Sequence, residues 1–245
     1  MYHFFVPIGQ ITEDHVTIAG SDVNHIRNVL RMTKGEQITV FDGRGSEYLC
    51  CLDDFSGDVV KAEILSKQQV SSELPVKLYL FQGMPKGDKL DQIIQKSVEL
   101  GVYRIIPVFT ERSIVRLDSA KKAQRTKRYN AIAESAAKQA GRGILPEVAS
   151  PVSWKEALEA AGTLDRILLP YELAENMDKT RKILSALSGT GSVGIFIGPE
   201  GGFAVSETED LIKRGASVIT LGKRILRTET AGPAILAMMM FLLEK

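Results

Sequence analysis

The chain has 245 residues, of which 44% are hydrophobic and 25% charged, with a formal net charge of +1. That length suits one large domain or two small ones with a true core, and the average composition excludes disordered, collagen-like and disulfide-scaffold classes. The longest apolar run, 234–243, falls short of the ~18 residues a membrane span needs, and near-neutral charge argues against a nucleic-acid partner at first sight.

In chain order, Met1-Tyr2-His3-Phe4-Phe5-Val6-Pro7 lacks the basic flank and apolar stretch of a signal peptide. Ser21 precedes Val23, Ile26, Val29 and Leu30 at helical spacing, which predicts a helix over 21–32. Alternating β-rich segments at 37–41, 46–52 and 59–65, the first two joined by the turn Asp42-Gly43-Arg44-Gly45, predict strands. The adjacent Cys50 and Cys51 match no metal spacing, and a reduced, cytoplasmic setting follows. Residues 1–72 therefore read as a small, mostly β domain. A polar stretch over 67–75, closed by Pro75, is the linker.

Beyond it the rhythm becomes strand, loop, helix. Strands are predicted at 76–82, 104–109, 166–169, 193–198 and 218–221, with helices at 86–100, 120–140, 154–161, 178–187, 206–214 and 229–244. Such alternation makes residues 73–245 an α/β domain with a mainly parallel sheet. The last helix is apolar nearly all round, so it is either buried within the domain or part of an interface.

Charge is unevenly spread. Residues 1–72 hold six Lys+Arg against ten Asp+Glu, a net of −4, whereas the remainder nets +5. Within it, 112–142 carries nine basic residues against Asp118 and Glu134. This strip is either a solvated helix face or a polyanion-binding surface.

The standard catalytic signatures are absent: there is no P-loop, no Gly-x-Gly-x-x-Gly after a strand and no nucleophile elbow. His3, His15 and His25 have no metal-ligand spacing, so neither a metal site nor Ser-His hydrolysis is expected. Two loops stand out instead. Ile197-Gly198-Pro199-Glu200-Gly201-Gly202 leaves an apolar strand and leads to a helix with a predicted capping box of Ser206 and Glu209. The second, Leu221-Gly222-Lys223-Arg224-Ile225-Leu226-Arg227-Thr228-Glu229-Thr230-Ala231, runs into the last helix. Ligands of open α/β sheets bind at the carboxyl ends of strands, where both loops lie. At that helix start a carboxylate suits the dipole and an arginine does not. Arg227 and Glu229 therefore form an ion pair, or Arg227 faces a ligand.

These two motifs resemble the SPOUT superfamily of S-adenosylmethionine-dependent RNA methyltransferases. More narrowly, they resemble the family that methylates N3 of a uridine in 16S ribosomal RNA. The likeness extends over His25-Ile26-Arg27-Asn28-Val29-Leu30-Arg31, Lys86-Gly87-Asp88-Lys89, Lys96-Ser97-Val98-Glu99-Leu100-Gly101, Glu111-Arg112-Ser113 and Glu134-Ser135-Ala136-Ala137-Lys138-Gln139-Ala140-Gly141-Arg142. Lys138 departs from it, since an acidic residue is frequent there.

The resemblance implies a PUA-like β-barrel followed by a SPOUT domain with a C-terminal deep trefoil knot, acting as a homodimer. It implies that Leu169, Ile197, Gly198, Glu200, Gly201, Gly202, Leu221, Gly222, Ile225, Leu226 and Thr230 enclose S-adenosylmethionine. Glu172 would meet the ribose or amino group, or face solvent. Arg227 would be catalytic, while Glu229, Glu200 and water stay open as proton acceptors. Arg112, Gln139 and Arg142 would guide 16S ribosomal RNA of the small subunit, with Arg27 and Arg31 as a second patch or a solvated face. No membrane partner is expected. The alternatives are a sister SPOUT enzyme acting on another RNA such as tRNA, and a non-catalytic RNA-binding assembly factor.

Overall fold

The computed structural model describes residues 1–70, 72–114 and 117–244. The chain packs as two compact units, one of Met1–Glu73 with Ala137–Leu145, the other of Leu74–Ala136 with Pro146–Lys245.

In the first unit, β1 (His3–Phe5), a 3-10 turn at Ile8–Gln10 and β2 (His15–Ala19) precede the short helix α1 (Ser21–Asn24). There follow β3 (Gln37–Phe41), β4 (Ser46–Asp54) and β5 (Val59–Gln69). The sheet order is β1-β3-β4-β5-β2, antiparallel except for the β1–β3 pair. Alternation sorts the faces: along β5, Val60 and Ala62 point into the core while Lys61 and Glu63 point out. Register shifts in β4 at Leu49/Cys50 and Leu52/Asp54 bend the strand around that core. Burial pushes the Cys50 thiol up to about 12, so it packs as an apolar group.

The predicted helix over 21–32 is only half α-helical. After Asn24 the chain widens into a π-helical turn at His25–Val29, closed by Leu30 N–H to the His25 carbonyl at 2.9 Å. The widening shifts the residues that follow off the apolar face, leaving Ile26 buried but Val29 61% exposed. Arg27 does not project to solvent as an RNA contact would. Its guanidinium donates to the carbonyls of Phe55 and Val59, pinning that loop from beneath. Arg31 ends the turn at φ 53, the left-handed position usually given to glycine, and is exposed.

The segment Ala137–Leu145 carries a second correction. Arg142, expected to face RNA, is 3% exposed. Its Nε and Nη2 fork onto the Glu73 carboxylate at 2.9 and 2.6 Å, and Glu73 Oε1 also accepts the Gly143 and Ile144 N–H groups. A buried guanidinium so engaged is a structural clamp. Lys138 finds an acidic partner in Asp22, 3.1 Å away, and Gln139 beside it is exposed.

The second unit holds β6 (Lys77–Gly83), α2 (Lys89–Glu99), β7 (Arg104–Phe109) and α3 (Ser119–Gln139), whose last turn, from Ala137, belongs to the first unit. Then come β8 (Glu147–Val148), β9 (Val152–Ser153), α4 (Trp154–Ala161), β10 (Arg166–Pro170), α5 (Met177–Ser185), β11 (Ser192–Ile197), α6 (Val205–Lys213), β12 (Ser217–Ile219) and α7 (Thr228–Leu243). Every strand pair is parallel, in the order β12-β10-β11-β6-β7-β8 with β9 also on β7. Helices cover both faces, so β11 is a continuous buried run, and Phe196 stacks on Phe81 at 4.4 Å. Among the described residues no helix is long and apolar enough to cross a membrane. Along α7, Ile235, Leu236 and Met239 are buried, but Phe241 is 83% exposed, so the helix is not enclosed on every side within this chain.

Breaking a buried pair by removing one partner costs about 3–5 kcal/mol. Arg142→Met should therefore lower unfolding free energy by roughly that amount in urea titration. An unchanged midpoint would return Arg142 to the surface role.

Candidate active site

The loops after β10, β11 and β12 leave the same edge of the parallel sheet, as adjacent parallel strands require. After β11 the chain turns sharply at Gly198. A Cβ there would stand 3.0 Å from the Gly202 backbone, so any other residue would push the loop open by a few tenths of an ångström. The helix beyond starts at Val205, one residue earlier than predicted, and its cap lies two residues before Ser206. Its N-cap is Ala204, and Glu207, not Glu209, reaches back to the cap, accepting Ala204 N–H at 2.8 Å. Glu207 wins because its carboxylate is buried and also accepts Glu111 N–H at 2.8 Å, whereas Ser206 and Glu209 are exposed. The Glu111–Arg112 segment is thereby docked, and Arg112 Nη1 donates to the Gly201 carbonyl at 2.7 Å.

After β12 the second loop bends at Gly222 (φ 113), a conformation that excludes other residues. It enters α7 with Arg227 as N-cap, whose carbonyl accepts the Thr230 and Ala231 N–H groups. Thr228 ties the two loops together: its hydroxyl donates to the Gly198 carbonyl at 2.6 Å and accepts from Gln82 Nε2 at 2.9 Å. Gln82 is fully buried at the end of β6.

The ion pair foreseen between Arg227 and Glu229 does not form. Glu229 Oε2 lies 3.2 Å from Lys89 Nζ, which also sits 3.1 Å from Glu200 Oε1. Glu229 is held below the ordinary carboxylate range by its own backbone N–H and, against burial that would raise it, by Lys89 and Arg227. Burial alone would raise Glu200, but its own backbone N–H, Lys89 and the Lys86 N–H together hold it low. Lys89 is raised, chiefly by its hydrogen bond to Glu200. Arg227 stays outside ion-pair distance of any carboxylate among the described residues and is exposed.

Between the loops lies a cleft of about 470 Å³, within the range of small-molecule sites. Ile197, Gly198, Gly202, Leu221, Gly222 and Leu226 wall it, with Glu172 and Glu200 among its polar lining. Ile225 borders it but is 85% exposed. Lys89, Arg112, Lys223, Arg224 and Arg227 add five cationic side chains around it. Glu229 lies outside the lining, and so do three of the residues expected to enclose the cofactor. Leu169 is one position before the strand end and turns into the core, Gly201 gives its carbonyl to Arg112, and Thr230 stands exposed on α7. Sequence reasoning missed Lys89, Gln82, Thr228 and Glu207. Lys89 stands in the Lys86-Gly87-Asp88-Lys89 motif, but nothing in that motif names its two glutamate partners.

Within the basic strip Lys121 pairs with Asp118 and Arg128 with Asp88 and Asp91, whereas Arg125 and Lys127 form no ion pair among the described residues. Lys122 sits 5.0 Å over the Phe109 ring, and Arg116 lies outside the described residues. Among the described residues no cluster of His, Cys, Asp and Glu could hold a metal.

An RNA methyltransferase domain model matches residues 72–240, and an RNA methyltransferase PUA domain model matches residues 18–68. Ribosomal RNA small subunit methyltransferase E of Bacillus subtilis is 38% identical over 218 residues, covering 88% of this chain and 85% of that protein. The Synechocystis protein of the same name is 31% identical, covering 99% and 78%. Among solved structures, ribosomal RNA small subunit methyltransferase E from Neisseria gonorrhoeae, bound to S-adenosyl methionine, superposes with a TM-score of 0.85. It is 35% identical and covers 99% of this chain and 98% of its own. A Legionella pneumophila methyltransferase with bound cofactor SAM gives a TM-score of 0.84 at 31% identity, covering 97% and 96%. With both domain models matched in order along the sheet-and-cleft architecture just described, the chain belongs to the ribosomal RNA small subunit methyltransferase E family, a PUA-like domain followed by a SPOUT domain.

Proposed function

We propose that this protein methylates N3 of a uridine in 16S ribosomal RNA of the small subunit, using S-adenosylmethionine. The observation that carries the reading is the cleft at the parallel sheet's carboxyl edge, with Arg227 unpaired at its rim. Its walls suit the cofactor: apolar Ile197, Leu221 and Leu226 fit an adenine face, while the glycine-bent loops expose backbone groups to its edge. Glu172 supplies an acceptor for a ribose hydroxyl or an ammonium. When bound, the cofactor supplies an electrophilic methyl group on a sulfonium.

What remains for the protein is alignment and charge. Holding nucleophile and methyl in line is worth roughly 7–11 kcal/mol of the barrier. Uracil N3 is mostly protonated near neutral pH, and as it loses its proton, charge builds on the flanking carbonyl oxygens. Arg227, a free guanidinium at the cleft rim, is suited to stabilise that charge. Because N3 lies on the Watson–Crick edge, the base must be unpaired or flipped out. Arg112 on the cleft rim and Arg31 on the first unit are the exposed arginines best suited to phosphate contacts, with Gln139 as a neutral companion. The same reading includes the family's trefoil knot through the loops of α7, a cytoplasmic location, and a second copy of the chain covering Phe241.

Incubating the protein with S-adenosylmethionine and small-subunit RNA lacking the modification should yield 3-methyluridine by mass spectrometry, and no product would sink the proposal. Arg227→Ala should lower kcat by about 10²–10³ with cofactor affinity nearly unchanged in calorimetry. Equal kcat would remove Arg227 from the chemistry. Arg31→Glu with Arg112→Glu should weaken RNA binding and flatten its log–log salt slope by about 0.7–0.9 per lost phosphate contact. An unaltered slope would make both arginines solvated surface. Light scattering of Phe241→Asp should show monomers where the parent shows dimers, and a monomeric parent would end the dimer proposal.

A further inference from the structure

We propose that Lys89 is a positioning residue for the transfer. Its ammonium locks Glu200 and Glu229 together, aligns Arg227, and leaves neither glutamate free to take the uridine N3 proton, which passes to solvent. The inference rests on the methyl-transfer reading above.

Lys89 opens α2, Glu200 sits in the loop after β11, and Glu229 lies in the first turn of α7. These segments are distant in sequence, yet one ammonium stands 3.1 Å from Glu200 and 3.2 Å from Glu229. Glu200 is gripped from a second side by the Lys86 N–H at 3.1 Å. Glu229 occupies the helix start, where backbone N–H groups favour an anion. The charged groups facing these carboxylates are therefore Lys89 for both and Arg227 for Glu229. The neighbouring Asp88 and Asp91 are taken by Arg128 and do not compete for Lys89.

Protonating either glutamate would break a salt bridge, which makes each a poor base. A useful general base has a pKa near the working pH, and both carboxyls are held below their ordinary range. The N3–H bond breaks to water or hydroxide and its electron pair stays on N3 to form the bond to the methyl carbon, while the methyl–sulfur bond would break with its pair left on sulfur, so that the leaving group is a neutral thioether. Glu229 follows Arg227 by two residues, so anchoring Glu229 fixes the helix start that aims the guanidinium. Lys89 also lines the cleft itself.

The test is a carbon-13 NMR titration of the two glutamate carboxyls in the full-length protein without cofactor, paired with pH–rate profiles. In the parent and in Lys89→Arg, both carboxyls should titrate below the ordinary glutamate value. In Lys89→Gln both should move up. Lys89→Gln should lose about 100-fold in kcat, keep the KM for S-adenosylmethionine within a few-fold, and show its acid limb at higher pH than the parent, with Lys89→Arg restoring most of the rate. A parent carboxyl titrating at or above the ordinary glutamate value would overturn the lock, even if Lys89→Gln failed to fold. So would an unmoved titration in Lys89→Gln. A parent that methylates no RNA would defeat the functional reading alone, because the carboxyl titration still judges the lock.

Discussion

The hydroxyl of Thr228 joins three segments that the sequence keeps far apart. The Gly198 carbonyl is half-buried in the loop after β11, and a shielded acceptor left without a donor is costly. Thr228 supplies that donor from the first residue of α7 while accepting from Gln82 at the end of β6. A hydroxyl does both at once, which neither an apolar residue nor an ammonium can. The end of β6 is correspondingly tight: a Cβ on Gly83 would fall 2.5 Å from the Pro199 ring. The cleft exists because these contacts bring two loops side by side and then leave the space beyond them open.

What was legible in the sequence follows from what periodicity can carry. The runs at Arg104–Phe109 and Trp154–Ala161 match their elements to the residue, since a buried strand and an amphipathic helix are patterns of apolar placement. β1, β8 and β9 hold two or three residues each, too few for any pattern. The π-helical turn at His25–Val29 was hidden for another reason: its apolar spacing suits an α-helix, and only the structure shows Arg27 drawn inward under the loop. The Ser206–Glu209 capping box had the right residue types at the right spacing and still lost to Glu207. A local motif cannot foresee a second donor, the Glu111 N–H, arriving from another loop.

The same limit governed the site. Glycines and an arginine in two loops were enough to indicate a ligand edge, because backbone freedom and an unfavourable charge at a helix start are local properties. Lys89 was not legible as part of it, because its role depends on two carboxylates more than a hundred positions away. Leu169 failed in the opposite direction. It belongs to the right strand, but alternation turns its side chain into the core one residue too early.

Charge shows how far a sequence count can be trusted. A whole-chain net of +1 argued against a polyanion, and the strip over 112–142 argued for one. Neither is the quantity that matters, because a paired cation contributes little field at a distance. Arg142, Arg128, Lys121 and Lys138 all have carboxylate partners within the fold. Cations without such partners among the described residues occur elsewhere too, Arg125 and Lys127 included, but four of them, Arg112, Lys223, Arg224 and Arg227, border the cleft. With Glu200 and Glu229 offset by Lys89, the rim keeps its positive sign where a phosphate backbone would have to pass to bring a base inside. On the proposed reading, these few guanidinium and ammonium groups beside the cavity are what would draw RNA, and a near-neutral chain carries them without a basic charge over its whole surface.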